Sequence, residues 1–401
     1  MGQDEGACDD RSMLAQTLRR WWRAGSRIIL FPLGFVALSL WGLATRRRNL
    51  IAVLPMANLG GNAWKLDAFI RRQSAEPDHY RYLFIAQTGA IANTYFLELL
   101  KRKLTFVENT WLVWLLRPVG EINNPLNFRQ QLRYPTSEEI GRYPCAEWFN
   151  SDDHVKGREL LGQMGLGEPG AWYACFFARD NAYAEQTNSG SELEHYLTYH
   201  TCRNSRIEAQ VKAMEFVLAQ GGHVIRIGSL VKTPVPIRHP RLIDYPFSQF
   251  RSEFADIYIV CHAKFVIGDA SGIVDVSLIR DIPFGWINEV FYFCSSYRKN
   301  AICIPKLIRS EETGKVLTLS EFADLLPRRP KSLLGEMIDR MRERGLVYSD
   351  NSPDDILAVT KAMYHEFVSD STLPAPRHAY CVTSPEDLWP PFLELHPELR
   401  E

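Results

Sequence analysis

Short apolar runs alternate with longer amphipathic stretches through the second half of the chain. Runs of strand length lie at residues 172–177, 223–228, 242–244, 264–268 and 282–287. Apolar positions recur at helical spacing between them, as in residues 207–220, which end at Gly221 and Gly222. Because runs that are apolar at every position are buried on both faces, this alternation predicts a parallel sheet covered by helices on both sides.

The same pattern separates further helices from a polar segment. Helices are predicted over residues 253–262, 272–280, 333–344 and 353–367. Residues 178–204 are mostly polar instead, and we expect a long loop there. Polar loops of that length in a compact domain usually carry function.

The first half begins with a strand-turn-helix unit. Residues 50–54 predict a strand, and a second strand is predicted at 82–86. The small residues Gly60, Gly61 and Asn62 predict the turn that leads into a helix through residues 64–69. This half therefore also predicts an α/β layer.

Two α/β domains follow from these patterns. Residues 105–165 are aromatic and punctuated by proline, with a helix expected around residues 112–116, and the glycine-rich stretch 162–170 is interpreted as a linker. The predicted segments are a basic and apolar N-terminus at 1–48, a first domain at 49–165, a second at 166–345 and a helical extension at 346–401.

The N-terminal segment predicts contact with a membrane. Residues 28–44 are apolar and lie between tryptophans and arginines on one side and Arg46, Arg47 and Arg48 on the other. A helix of this length is about 26 Å long, short for a hydrocarbon core of about 30 Å. We therefore interpret residues 19–48 as a monotopic anchor that keeps the body at the cytoplasmic face of the inner membrane, with a short membrane span as the alternative.

Composition supports a globular cytosolic body. The chain has 401 residues, 46% of them hydrophobic, and its eight cysteines form no Cys-x-x-Cys pair, which indicates reduced thiols rather than disulfides or structural zinc. Residues 11–48 carry eight arginines and no acid, whereas residues 49–401 carry a net charge of −5. The basic character is thus local, and we expect no nucleic-acid partner.

The turn after residues 264–268 predicts an anion site. The strand ends at Gly268, and Asp269, Ala270, Ser271 and Gly272 lead into the next predicted helix. Small residues at a helix N-terminus leave unpartnered amides open to a phosphate. The spacing matches neither the P-loop nor the dinucleotide glycine pattern, and an ordinary strand-to-helix connection with a serine cap is the alternative.

Polar residues follow four of the predicted strands. Arg179 follows the first strand, Gly228 ends the second, Asp244 ends the third and the turn at 269–272 follows the fourth. Because ligands collect at the carboxyl ends of parallel strands, we expect Arg179 and Ser271 to face one crevice. Arg226 lies inside its strand and either reaches the ligand or pairs with a buried carboxylate such as Asp256.

Residues 201–206 add two guanidiniums and an amide. Arg203, Asn204 and Arg206 precede a predicted helix and could bind an anion; a capping turn with solvated arginines is the alternative.

Asp67, Glu98 and Glu108 are candidate general bases, although such residues more often lie on the surface of a helix. No metal-ligand spacing is present, and neither a metal nor a resident cofactor is expected.

Over residues 170–320 the chain resembles a family of bacterial proteins described as glycosyltransferases, with a GT-B-like C-terminal domain and a frequent association with surface-polysaccharide genes. The resemblance rests on motifs that occur in the same order: residues 177–180, 202–206, 222–228, 243–245, 251–256, 263–268 and 271–272. It implies two facing Rossmann-like domains, the second holding a nucleotide sugar and the first presenting a glycan or lipid-linked acceptor. It also implies that Arg179 and the turn at 269–272 contact the donor pyrophosphate.

The chain departs from this family at two points. It has Ala270 where relatives tend to have serine, and the loop at Gly60 lacks the expected histidine, so no catalytic base is carried over. We predict metal-independent sugar transfer, in which arginine and helix amides stabilise the leaving pyrophosphate. A non-catalytic membrane-associated module that binds a nucleotide or glycan is the alternative.

Overall fold

The computed structural model of the protein describes residues 29–87, 89–123, 132, 142–290, 300–325, 333–369 and 388–400. The chain divides into two compact units, a first unit of Met1–Ala57 with Arg72–Arg133 and a second unit of Asn58–Arg71 with Tyr134–Glu401. These units do not follow the predicted boundaries at residues 165 and 345. The glycine-rich stretch 162–170 lies inside the second unit.

The first unit contains a three-stranded parallel sheet in the order β1-β2-β3. Its strands are β1 (Arg48–Leu54), β2 (Tyr80–Ala86) and β3 (Thr105–Phe106). The helices of this part of the chain are α1 (residues 29–45), α2 (Leu59–Ala75), α3 (Thr94–Lys103) and α4 (Thr110–Asn123); most of α2 belongs to the second unit. The predicted strands at 50–54 and 82–86 and the helices at 64–69 and 112–116 are confirmed, whereas α3 was missed.

One face of α1 belongs to the core of the first unit. Leu38 packs with Leu116 and Val119 of α4 and with apolar residues of β1 and β2. A Cβ at Gly34 would come within 2.6 Å of the Leu115 carbonyl oxygen, so the two helices cross at close range. The inner face of α1 is thus part of the protein core, which the sequence analysis did not predict.

The predicted anchor is described only in part. Residues 19–28, which include Trp21 and Trp22, lie outside the described residues. Among the helices that are described, none combines the length and the apolar character needed to cross a bilayer.

A six-stranded parallel sheet forms the centre of the second unit, in the order β6-β5-β4-β7-β8-β9. The strands are β4 (Tyr173–Phe177), β5 (His223–Arg226), β6 (Leu242–Asp244), β7 (Phe265–Gly268), β8 (Phe284–Glu289) and β9 (Ala301–Pro305). The predicted parallel sheet is confirmed. After β6 the chain returns to pair β7 with the other side of β4, which places the topological switch point between β4 and β7.

Helices and a hairpin surround this sheet. The helices are α5 (Ser151–Gln163), α6 (Ala182–Thr187), α7 (Gly190–His200), α8 (Val211–Ala219), α9 (Glu253–Val260), α10 (Gly272–Asp275), α11 (Leu319–Ala323), α12 (Leu333–Glu343), α13 (Pro353–Phe367) and α14 (Pro390–Leu395). The hairpin pairs β10 (Leu307–Ser310) with β11 (Leu346–Ser349) in antiparallel register.

Two predictions for the second unit are corrected. The expected loop at 178–204 contains α6 and α7; no residue of α7 is buried, although Leu193, Tyr196 and Leu197 have helical spacing. The expected helix at 272–280 is one α-helical turn followed by a 3₁₀ turn at Val276–Arg280. A helix that short has little dipole, so side chains must supply most of the positive charge for an anion.

Candidate functional site

The switch point brings together the residues after β4 and β7. Phe177 and Gly268 are paired in register, and the backbone N–H of Arg179 donates to the Asp269 carboxylate over 2.7 Å. We call Arg179, Arg203, Ser205 and residues 269–272 the switch-point site. The predicted convergence of Arg179 with the turn at 269–272 is present in the structure.

Asp269 holds this site together. It is buried, and it accepts hydrogen bonds from the Arg179 N–H, from the Ser205 hydroxyl and, over 2.9 Å, from Asn288 Nδ2. Burial raises the pKa of Asp269 to about 6, although the three hydrogen bonds act in the opposite direction. Because both carboxylate oxygens are occupied, Asp269 orients the loops of the site rather than facing a ligand.

Arg179 and Arg203 converge on one backbone carbonyl. Arg179 Nη1 lies 3.3 Å and Arg203 Nη2 lies 3.2 Å from the oxygen of Ala270. Neither guanidinium forms an ion pair with a carboxylate anywhere in the described part of the chain, and the Nε of each lacks a hydrogen-bond partner there. The two guanidiniums thus share one neutral acceptor, and each keeps an N–H group that could donate to a ligand.

The surroundings of these two arginines are electropositive. Burial lowers the pKa of Arg203, and the charge of Arg179 lowers it further, while Glu289 and Asp275 offset part of the effect. The pKa of His200 is lowered by burial and then by the same two arginines. An oxyanion with two or more negative charges would relieve this repulsion.

The aromatic ring of Tyr196 on α7 positions Arg179. The guanidinium lies over the ring at 5.8 Å from its centroid and donates from Nη2 to the phenolic oxygen. The His200 ring stacks on the Tyr196 ring, with the two ring centroids 5.0 Å apart. Sequence reasoning missed Tyr196 because it treated α7 as a loop.

The Ser271 hydroxyl has no hydrogen-bond partner among the described residues. It is the extended residue before α10, with φ −154°, and its side chain does not bond to the helix amides that a serine cap usually satisfies. The capping alternative is therefore not what the structure shows. Gly272 packs closely here, since a Cβ at this position would lie 3.1 Å from the Gly60 nitrogen.

The predicted acceptor-side loop packs against this turn inside the second unit. A Cβ at Gly60 would lie 2.5 Å from Asp275 Oδ2 and 2.7 Å from the Gly272 Cα. The N–H of Gly61 donates to Asn58 Oδ1 over 2.9 Å, and Asn62 is buried in the first turn of α2. These three residues start α2 and allow a close backbone contact; their binding of an acceptor stays a prediction.

Polar residues at the carboxyl ends of β8 and β9 complete this edge of the sheet. Asn288, with a left-handed φ of 56°, exchanges hydrogen bonds with Asn351 over 2.6 and 2.7 Å. Buried Lys306 donates over 2.6 Å to both Asp350 and the carbonyl of Asn204. Sequence reasoning missed these residues; the available signal was an amide or a lysine directly at the end of an apolar run.

Three other residues predicted to bind the donor lie outside the switch-point site. Arg226 is buried and pairs with Asp244 over 3.1 Å, so the predicted carboxylate partner exists but is not Asp256, which accepts from Tyr245 instead. Gly228 adopts a left-handed φ of 139° in the loop after β5. Arg206 is exposed and lines a pocket of about 580 Å³ with residues 348–353, so it does not join Arg203 at Ala270.

The candidate bases lie in ordinary structural positions. Asp67 is buried, pairs with Arg71 over 2.8 Å and accepts from the indole of Trp148 over 3.2 Å. Burial raises its pKa to about 6, even though Arg71 lowers it. Glu98 is exposed on α3, and Glu108 forms a surface ion pair with Lys101.

The described residues contain no cluster of three histidine, cysteine, aspartate or glutamate side chains able to hold a metal ion. The groups at the switch point that can attract an anion are the guanidiniums of Arg179 and Arg203. A pair of guanidiniums with an adjacent hydroxyl can bind the oxygens of a phosphate or diphosphate.

No protein-family model and no curated protein sequence matches this chain. Among solved structures, a glycosyl transferase family 9 protein from Veillonella parvula is similar with a TM-score of 0.46 and 9% identity, over 79% of this chain and 97% of that one. The ADP-heptose LPS heptosyltransferase II of E. coli has a TM-score of 0.40 and 9% identity, over 79% and 98%. The iron-containing dodecameric glycosyltransferase TibC of enterotoxigenic E. coli has a TM-score of 0.35 and 13% identity, over 80% and 77%. These likenesses are too distant to assign a function to this chain.

Proposed function

We propose that the protein is a glycosyltransferase of the GT-B type that holds a nucleotide-sugar donor by its diphosphate at the switch-point site. The observation that carries this proposal is the pair Arg179 and Arg203, which meet at Ala270 without a carboxylate partner among the described residues. Their position at the carboxyl edge, between β4 and β7, is where open α/β sheets bind ligands.

The chemistry of sugar transfer fits these groups. When the glycosidic bond to the donor breaks, negative charge develops on the departing nucleoside diphosphate. Two fixed guanidiniums and the Ser271 hydroxyl would stabilise that charge as it forms, in a site that needs no reorganisation. This arrangement supports transfer without a divalent cation, because arginine supplies the positive charge.

The resemblance to bacterial glycosyltransferases supports a sugar as the transferred group. It includes Arg179, Arg203, Ser271 and Gly272, which the second unit brings to one place. An acceptor that is a glycan or a lipid-linked glycan, a role in cell-surface polysaccharide synthesis and a location at the cytoplasmic face of the inner membrane remain predictions from sequence.

A non-catalytic nucleotide-binding module is the second candidate. It is favoured by the surroundings of Asp67, which is buried in an ion pair with Arg71 and hydrogen-bonded to Trp148. A general base must reach the proton that it removes, and Asp67 faces other protein groups instead. Glu98, the other candidate, is an exposed residue of α3 without a positioning contact among the described residues.

The two candidates are separated by turnover. The full chain is incubated with a panel of nucleotide sugars, with and without EDTA, and release of nucleoside diphosphate is measured beside calorimetric binding of the same nucleotides. The proposal expects hydrolysis or transfer with at least one donor, unchanged by EDTA. Binding without turnover for every donor would support the module, and loss of turnover in EDTA would contradict metal independence.

A further inference from the structure

The first unit exposes an apolar face that spans two helices. On α1 the outward positions are Ile29, Leu33, Val36, Leu40 and Leu43, which are between 53% and 76% exposed. Their spacing of four and three residues keeps them on one stripe of the helix. Next to it, α4 exposes Trp111, Leu112 and Trp114.

These two helices form one continuous surface. Gly34 of α1 lies against the Leu115 carbonyl of α4, and Leu38 and Val119 are buried between the helices and the sheet. The inner faces are thus committed to the core, and the outer faces point away from it. Contiguous exposed apolar surface of this kind on a soluble unit marks a site of interaction.

The charge around this face that is not neutralised by an ion pair is positive. Helix α1 contains no charged residue, and it ends at Arg46, Arg47 and Arg48, all exposed. None of the three forms an ion pair with another described residue. On α4 the charged residues Arg117 and Glu121 neutralise each other over 2.8 Å.

A groove connects the apolar face with the arginines. It has a volume of about 600 Å³, and its lining includes the apolar residues Phe35, Leu38, Leu43 and Leu50 together with Arg46–Arg48. Nearby, the Arg81 guanidinium lies over the indole of Trp41 at 5.0 Å. Apolar side chains bordered by indoles and arginines match the layers of a bilayer surface, from acyl chains to anionic head groups.

We propose that the α1–α4 face docks the protein on an anionic lipid bilayer, with α1 lying in the plane of the surface and Arg46–Arg48 against the head groups. A spanning role for α1 is incompatible with its inner face, which is packed on β1 and β2. A second copy of the chain is a poorer occupant, because it would bring two surfaces with the same excess of positive charge together. The inference does not rest on the proposed function, since docking is measured without a nucleotide.

The test is sedimentation of the full chain with vesicles of phosphatidylcholine alone or with 30% phosphatidylglycerol. The protein is expected to bind the anionic vesicles more tightly, and each arginine changed to glutamine in R46Q, R47Q and R48Q should weaken binding roughly fivefold. The pairs L33S/L40S and W111S/W114S should each reduce binding at least tenfold. Raising the salt concentration should remove the preference for anionic vesicles.

A matched control comes from the second unit. Phe247 is 55% exposed, similar to Leu33, and F247S should bind vesicles like the unchanged protein. Thermal unfolding of every variant shows whether it is folded. The proposal is overturned if the full chain stays in the supernatant, if L33S/L40S binds as well as F247S, or if the face instead mediates dimerisation that L33S/L40S abolishes.

Discussion

Two regions of the second unit's sheet, the β5–β6 side and the central β4–β7 pair, use arginine in opposite ways. Beside β5 and β6, Arg226 pairs with Asp244 over 3.1 Å, and Asp244 also accepts from the Val235 N–H. Beside β4 and β7, Arg179 and Arg203 share only the Ala270 carbonyl and aromatic contacts. One arginine is neutralised by the fold, and the other two are left with capacity for a ligand.

The difference has a physical consequence. A buried charge is tolerated when it is paired and hydrogen-bonded, and it is costly when its partner is removed. Arg226 is therefore expected to matter for folding. Arg179 and Arg203 repel each other, and they are expected to matter for binding an anion instead.

The largest effect on stability is expected at the ion pair between Arg226 and Asp244. Arg226→Met leaves the Asp244 carboxylate without its cation and should lower the free energy of unfolding by about 3 kcal/mol. Urea denaturation measures this change. The double variant R226M/D244N should recover part of the loss, because it removes the uncompensated charge; a fully stable R226M would show that the pair contributes nothing.

The opposite outcome is expected at the switch-point site. Arg203→Gln should weaken nucleoside-diphosphate binding by about 1.5–3 kcal/mol, the range for a charge-assisted hydrogen bond, while the free energy of unfolding stays the same or rises. Calorimetry with UDP, GDP, CDP and ADP measures affinity. Arg206→Gln is the matched control, since Arg206 is exposed and does not contact Ala270; an equal loss in both variants would contradict the assignment.

The close backbone contact between Gly60 and Gly272 stabilises the turn at 269–272. Gly60→Ala forces a Cβ against Asp275 and the Gly272 backbone, and it should cost about 1–3 kcal/mol of stability. Gly162→Ala on α5 is the control, because nothing lies within 4 Å of a Cβ there and alanine favours a helix. If both variants have the same melting temperature, the close contact is not a constraint.

A smaller effect is expected from the pH dependence of Asp269. Its folded-state pKa of about 6 lies above the ordinary 3.8, so the folded protein holds a proton that the unfolded chain has released. Its contribution to stability is therefore present below pH 4 and is lost as pH rises to 6, with a slope of at most about 1.4 kcal/mol per pH unit. Chemical denaturation of the protein and of D269N across this range should show a shallower slope in D269N; parallel slopes would contradict the assignment.

Sequence reasoning located the sheet and half of the switch-point site. Uninterrupted apolar runs identified β4, β5 and β7, and strand ends fixed Arg179 and the turn at 269–272. Arg203 came from a cluster of cations before a helix, but the same argument included Arg206, which points elsewhere. Local sequence does not say which of two neighbouring arginines a loop turns inward.

Other errors have other origins. Helix α7 has no buried residue, and its short apolar pattern at Leu193, Tyr196 and Leu197 was overlooked inside a polar segment. The partner of Arg226 depended on the register between β5 and β6, which sets Arg226 opposite Asp244. The apolar outer stripe of α1 was visible in the sequence, whereas its continuation onto α4 required the packing of both helices.

A crystal structure of the full chain with its tightest-binding nucleoside diphosphate would locate the diphosphate itself. Its oxygens are expected within about 3 Å of guanidinium nitrogens of both Arg179 and Arg203, with the Ser271 hydroxyl as a further donor. A diphosphate bound in the pocket beside Arg206, or anywhere else with Arg179 and Arg203 still turned to Ala270, would contradict this expectation.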